Sequence, residues 1–377
     1  MSSNKPHCGK IIRIITGRFT AVLLSAILVS VMMFSAGCEK GETTSQADGA
    51  SSGATEASGA AATDQASSNS AGTDGTDGAD IKIKVVVPTG VPILSIIRMA
   101  YEKPAIMEGF NVEYEITQAT DVLNSRLVSG EAGISVIPVN LAAQLYNKGV
   151  EYRLAVPSIW GIYYLVSSEE LSGWEDLKGK EIYTIGRGLT SDITMRYLLS
   201  SHGIDPDKDV TLVYLSGASE LAPAFISGKS TVSLMPEPML STVMAKKTGT
   251  YIAIDFQEAW AEATGLGSSY PQAALVIKKE LAEKYPEFVG KFINEYKNSI
   301  EWLYAEPQKA GEYAVALNTG IAAEIVPAAL PRMNIKFETA WDSRDAVKEY
   351  LDVILESSPE MIGGKIPDEA FYYRLEE

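Results

Sequence analysis

The sequence predicts an α/β protein of two similar βαβ-type lobes with a cleft between them, joined by two crossings. Two observations carry this. Ser129-Gly130-Glu131-Ala132-Gly133-Ile134-Ser135-Val136-Ile137-Pro138 and Ser227-Gly228-Lys229-Ser230-Thr231-Val232-Ser233-Leu234-Met235-Pro236 share one pattern, ninety-eight residues apart. Each follows an apolar segment that reads as a capped helix, Thr120-Asp121 to Val128 and Ser219-Glu220 to Ile226, and each leads into another helix-like run. A glycine just past a helix end, a short apolar strand and a closing proline make one βαβ unit drawn twice.

The chain opens with Lys5, Lys10, Arg13 and Arg18, an uncharged run from Phe19 to Phe34, and Ser35-Ala36-Gly37-Cys38. A basic start, an apolar centre and small residues before a cut site read as a signal peptide over 1–37. Small residues directly before Cys38 resemble a bacterial lipobox, with Ser35 where Leu is usual; the alternative is an ordinary signal with an incidental cysteine. Residues 38–80 are almost wholly Ser, Gly, Ala, Thr and Asp, a composition that cannot bury a core and reads as a disordered tether. As random coil its reach is about 35 Å.

The folded part then runs from Ile81. Ile81 to Val87 suits a strand entering a parallel sheet, and Pro92 suits the first turn of a helix ending near Tyr101. Strands at 111–116, 133–137 and 152–156 alternate with helices at 120–128 and 141–146, which predicts a parallel sheet. Residues 162–167 are extended, and the polar stretch 171–180 is the expected first crossing. A second series follows: strand 181–185, helix 191–201, strand 210–214, helix 220–226, strand 231–235, helix 239–246 and strand 251–254. Gly265-Leu266-Gly267-Ser268-Ser269 marks the crossing back, before a strand at 272–277. The helical stripe Phe288, Val289, Phe292, Ile293, Tyr296, Ile300 and Leu303, and a last helix near 339–356, are expected to pack on the first lobe. Lobe 1 is therefore 81–168 plus 270–377, and lobe 2 is 169–269.

The net charge of −16 over 377 residues argues against nucleic acid and anionic lipid surfaces as partners. Cys8, Cys38, His7 and His202 are the whole cysteine and histidine inventory, so no His or Cys metal cluster and no disulfide is expected in the folded part. Nucleophile elbows, Walker sequences and His-Glu-x-x-His are absent, and a paired-carboxylate site has nothing pointing to it.

Ligands of open parallel sheets sit beyond the carboxyl ends of the strands, where helix N-termini converge. This selects Thr89, Gly90, Thr120, Asp121, Pro138 and Asn140 from the first lobe, and Arg187, Gly188, Thr190, Ser191, Ser219, Glu237 and Pro238 from the second. The loop Gly186-Arg187-Gly188-Leu189-Thr190-Ser191 offers backbone N–H groups and a guanidinium to an anion; the alternative is that Thr190 caps its helix and Arg187 is solvated. Trp160, followed by Tyr163 and Tyr164, and Tyr270 either wall the cleft against a ring or pack the hinge. Glu237, held between two prolines, either faces an amine or hydroxyl in the cleft or is a solvated turn acid.

Leu177-Lys178-Gly179-Lys180-Glu181-Ile182, the helix ending at His202-Gly203-Ile204, Asp209-Val210 and Pro236-Glu237-Pro238 resemble the second lobe of substrate-binding lipoproteins of ABC importers. The resemblance is to the nitrate, sulfonate, taurine and thiamine-precursor type, with the periplasmic-binding-protein-like fold, type II, and covers Ile81 to the C-terminus. That group usually has an acidic residue where Gly133 and Thr231 stand, so its cleft chemistry is not carried over. The resemblance implies a monomer, anchored outside the cytoplasm to the bacterial cell membrane by lipid (palmitate) at Cys38. It implies capture of a small-molecule ligand by hinge closure, delivery to ABC permease subunits, no cofactor and no enzymatic turnover. The Arg187 loop favours a sulfonate-like or other small anion. The alternatives are an aromatic or pyrimidine-type ligand, a ligand sensor, or a secreted enzyme.

Overall fold

The computed structural model describes residues 80–375, so the signal segment, most of the tether and Cys38 lie outside the described residues. The strands are β1 (Ile81–Pro88), β2 (Phe110–Thr117), β3 (Ile134–Pro138), β4 (Tyr152–Trp160), β5 (Tyr163–Ser167), β6 (Glu181–Ile185), β7 (Thr211–Leu215), β8 (Val232–Pro236), β9 (Tyr251–Asp255) and β10 (Pro271–Lys278). They form two five-stranded sheets, ordered β2-β1-β3-β10-β4 and β7-β6-β8-β5-β9.

The two orders are the same pattern: second, first and third strand of a lobe, then a foreign strand, then the fourth. This corrects the expected all-parallel sheets. β10 enters the first sheet antiparallel to β3 and β4, and β5 enters the second antiparallel to β8 and β9. Each lobe thus takes in the strand that abuts a crossing. Residues 163–167, assigned to lobe 1 from sequence, are a strand of the second sheet, so the first crossing lies at Gly161–Ile162 rather than at 171–180.

The repeated motif occupies matching places. Gly130 follows α3 (Thr120–Val128), which comes after α1 (Val91–Ser95) and α2 (Ile97–Glu102); Gly228 follows α6 (Ala218–Ile226), which comes after α4 (Val139–Asn147) and α5 (Thr190–Ser201). Both glycines have left-handed φ, 74° and 80°, the conformation that a helix C′ position demands and a Cβ resists. Ser135 and Ser233 are both fully buried; one donates to the Val86 carbonyl and the other shares a hydrogen bond with Ser230. The expected side-chain caps do not form: α3 and α6 begin after Ala119 and Gly217, and neither has a side-chain cap.

The remaining helices are α7 (Met239–Lys246), α8 (Phe256–Thr264), α9 (Lys279–Lys284), α10 (Pro286–Ala305), α11 (Pro307–Ala316), α12 (Ile325–Ala329) and α13 (Arg344–Ser357). The sequence reading missed α8. It is capped by Asp255, whose side chain accepts from the Gln257 amide. All seven residues of the α10 stripe are buried, and α10 and α11 pack on α2 in the first lobe. Burial of such a face stabilises by about 25 cal/mol per Å² of apolar area.

Both faces of the first sheet are covered. Val85, Val87, Ile134 and Val136 pack with α1, α2 and α10 on one side, and Val86 and Ile137 face α4 and α13 on the other. That second core continues into lobe 2 through Tyr270, Trp260, Leu198 and Ile193. The lobes meet where α13 packs on α5 and where α12 packs on α7.

Candidate functional site

At the contact of α12 with α7 the carboxyl end of β8 faces the first lobe. A cavity of about 650 Å³ opens there, lined by Ala218, Ser219, Pro236, Glu237 and Met239 from lobe 2 and by Ile321 and Ile325 from lobe 1. Its walls are mostly apolar. A smaller cavity of about 270 Å³ lies around Lys84, Gly133 and Lys278, at the amino end of β1, which is the wrong end for a ligand of such a sheet.

Glu237 forms one wall. Its carboxylate is fully buried and accepts from the Ser241 amide and hydroxyl, both at 3.0 Å, because α7 begins just after Pro238 and directs its first turn at it. Arg332 of lobe 1 donates its Nε–H to the same carboxylate at 2.5 Å. Glu237 is thus neither a solvated turn acid nor an unoccupied acceptor.

On the other side of the crossings lies a cluster of hydroxyls. Ser191, buried at the start of α5, is the side-chain partner of Tyr163, and Thr190 is the partner of Tyr350 on α13. Tyr270, 1% exposed, stacks on Tyr350 with ring centroids 5.5 Å apart and meets Trp260 in a tilted contact at 5.2 Å. Burial pushes the hydroxyls of Tyr163, Tyr270 and Tyr350 upward, so all three stay neutral donors. The Tyr270 hydroxyl and Gln257 Oε1 are buried without a protein partner. Gln257 uses its own amide and Nε2–H on Asp255, whose carboxyl burial raises above its ordinary value.

The loop 186–191 has left-handed glycines at 186 and 188, as the sequence suggests for a loop into a helix start. Thr190 does not cap α5; the helix begins after Leu189 without a side-chain cap. Instead the Gly188 amide donates to Asp192 in the first turn, and Asp192, 3% exposed, also takes the Tyr214 hydroxyl and Arg196. Arg187 is exposed, with its guanidinium 4.2 Å over the Tyr214 ring.

Trp160 is 1% exposed, donates to the Pro157 carbonyl and carries Lys336 Nζ 3.8 Å over its ring, so it packs the hinge in this arrangement. Thr89 and Gly90 close β1, with the Thr89 amide bonded to the Thr117 carbonyl. Asn140 is half-buried in the first turn of α4, and Thr120 is exposed. The structure thus gathers Thr190, Ser191 and Tyr270 in one cluster and places Glu237 on the cavity. Sequence reasoning missed Tyr350, Gln257, Asp255 and Arg332.

A family model described as the NMT1-like family matches residues 83–318, more than half of the chain. The chain belongs to the NMT1-like family. Among solved structures, this NMT1-like chain is similar to the crystal structure of an ABC transporter from Parabacteroides distasonis. That match has 26% identity and a TM-score of 0.68, and covers 78% of this chain and 99% of that one. The periplasmic aliphatic sulphonate binding protein SsuA from Escherichia coli is 12% identical with a TM-score of 0.63, covering 78% and 92%, and shares the fold. The nitrate/nitrite binding protein NrtA of Synechococcus elongatus is 29% identical over 115 residues, 30% of this chain. Bacillus subtilis YtlA, which carries the name of a binding protein, is 23% identical over 201 residues, 52% of this chain. The matches span 58% of YtlA and 24% of NrtA. Among the described residues no helix is long and apolar enough to cross a membrane.

Proposed function

We propose that this chain is a solute-binding lipoprotein of an ABC importer, which holds a small organic molecule between its lobes and delivers it to permease subunits. The interlobe cavity of about 650 Å³ carries this reading, being of the size that small-molecule sites have. A ligand that touches both walls favours closure, because only differential affinity shifts a two-state equilibrium. Lipid attachment at Cys38, the tether, a place outside the cytoplasm and a monomeric state belong to the same proposal. So does binding without turnover.

The apolar lining and the pairing of Glu237 with Arg332 support a neutral, ring-bearing ligand of the pyrimidine or other aromatic type. Closure is proposed to draw Ile321 and Ile325 of lobe 1 against Ser219, Pro236 and Met239 of lobe 2 around it. A small anion such as a sulfonate is the second reading, favoured by the exposed Arg187 at the rim. It ranks second because Asp192 already supplies the negative charge that the α5 N-terminus favours.

The test is a melting-temperature screen of the purified protein against pyrimidines, other aromatics, sulfonates, nitrate and amino acids. A ligand at 100 times its dissociation constant stabilises by about 2.7 kcal/mol. A shift with the aromatic class supports the first reading, one with sulfonates the second, and none with any class counts against binding in this cavity. A compound recovered chemically altered would replace transport by catalysis.

A further inference from the structure

Apart from the two covalent crossings, a third segment ties the lobes together. Around Arg332–Ile335, the Trp160 amide donates to the Asn334 carbonyl at 3.1 Å, and Ile335 bridges to Ile159. Asn334 Nδ2 donates to the Gly161 carbonyl at 3.0 Å and to the Tyr164 hydroxyl at 3.3 Å. Tyr164, on the first strand of lobe 2, donates its hydroxyl to the Arg332 carbonyl at 2.9 Å. The Arg332 side chain then reaches on, to Glu237 at 2.5 Å and to the Ser241 hydroxyl at 2.7 Å. Glu237 itself donates its amide to the Ile162 carbonyl of the crossing, at 2.9 Å.

Glu237 is 0% exposed and Arg332 26% exposed at the side chain, so this pair is largely removed from water. A buried carboxylate without its counter-charge is strongly unfavourable. The pair is also split between lobes: the acid belongs to the β8–α7 corner, the guanidinium to the segment after α12.

We propose that Arg332 is the built-in counter-cation of Glu237 on the wall of the interlobe cavity, docking on it from lobe 1. It pins the two lobes at their pivot and occupies the carboxylate that a cationic ligand would otherwise use. Glu237 then acts by holding Arg332 and not by touching the ligand. The specificity consequence rests on the reading of the cavity as the ligand site; the pin does not.

Methylguanidinium is the probe, since it restores the missing group without the chain. In the full-length protein, Arg332→Ala is expected to lower the melting temperature, and millimolar methylguanidinium to raise it again in a saturable way. The wild type and the double variant Arg332→Ala with Glu237→Gln are expected to show no such rise. Absence of rescue in a folded Arg332→Ala, or equal rescue in the double variant, overturns the proposal. If Arg332→Ala does not fold, the cycle of Arg332→Gln, Glu237→Gln and their combination decides. The combined variant is expected to melt above Glu237→Gln or Arg332→Gln alone, and additive losses would refute the pairing. Rescue with no ligand found in the wild-type screen would leave the pin standing and sink the transport reading instead.

Discussion

Gly161 is where the chain leaves the first lobe, and replacing it by alanine should loosen the hinge at a cost that the geometry sets. Its φ is +59°, and a Cβ there would lie 2.6 Å from Gln257 Oε1, 2.9 Å from Ser269 Oγ and 2.9 Å from Tyr270 Cζ. Left-handed backbone costs an L side chain about 1–2 kcal/mol. The Tyr270 ring is held between Trp260 and Tyr350 and cannot retreat, so overpacking adds about 1–3 kcal/mol. The expected loss is about 2–5 kcal/mol, or about 4–10 °C in melting temperature for a chain of this size. Gly203→Ala is the comparison. It has φ +76° and nothing within 4 Å of a Cβ, so backbone strain acts alone there. Calorimetry of both variants separates the two contributions. Equal losses would refute the claim that the hinge is sterically closed around Gly161.

The other predictions are of the same kind. Tyr296→Phe removes a buried hydroxyl that bonds Ser95 and Ser158, each at 2.7 Å, and should cost about 1–3 kcal/mol in denaturant unfolding; a smaller loss would show that these hydroxyls re-pair. Burial raises the Asp255 carboxyl above its ordinary 3.8, so the folded state holds this proton more tightly than the unfolded one. The associated stability is full below 3.8 and is lost as pH rises through the folded value. Asp255→Asn should therefore gain on the wild type as pH rises through that window, and parallel melting curves would contradict this. Arg187→Ala should leave the fold intact and the affinity for a neutral aromatic ligand nearly unchanged. An affinity loss of about tenfold or more would return the anion to first place.

Much of this fold was legible because its signals are local. The Ser-Gly to Pro motif places β3 and β8, and the α10 stripe has the helical period of a buried face. The sheet order was not legible. A run such as Tyr163-Tyr164-Leu165-Val166-Ser167 is apolar on both faces whichever sheet receives it, so nothing in it says that β5 inserts antiparallel between β8 and β9. Helix α8 did carry a signal, Asp255 as cap with Phe256, Ala259 and Trp260 at helical spacing, hidden behind the glycine-rich turn that follows. Arg332 had none: it follows Pro331 in an irregular stretch, and its partner Glu237 is 95 positions away. Long side chains meeting across a hinge are fixed by tertiary packing alone, which is why the wall of the cavity was read only in half.

The central claim, that a solute is held between the lobes in the cavity beside Glu237, is tested most directly by filling that cavity. Ala222 lies on its wall, half-buried on α6 beside the lobe 2 core, so the variant is first checked for folding. Titration calorimetry of the compound that emerges from the screen should give tight binding to the wild type and a loss of about tenfold or more for a folded Ala222→Trp. The same dissociation constant for both proteins would place the ligand elsewhere and contradict the account.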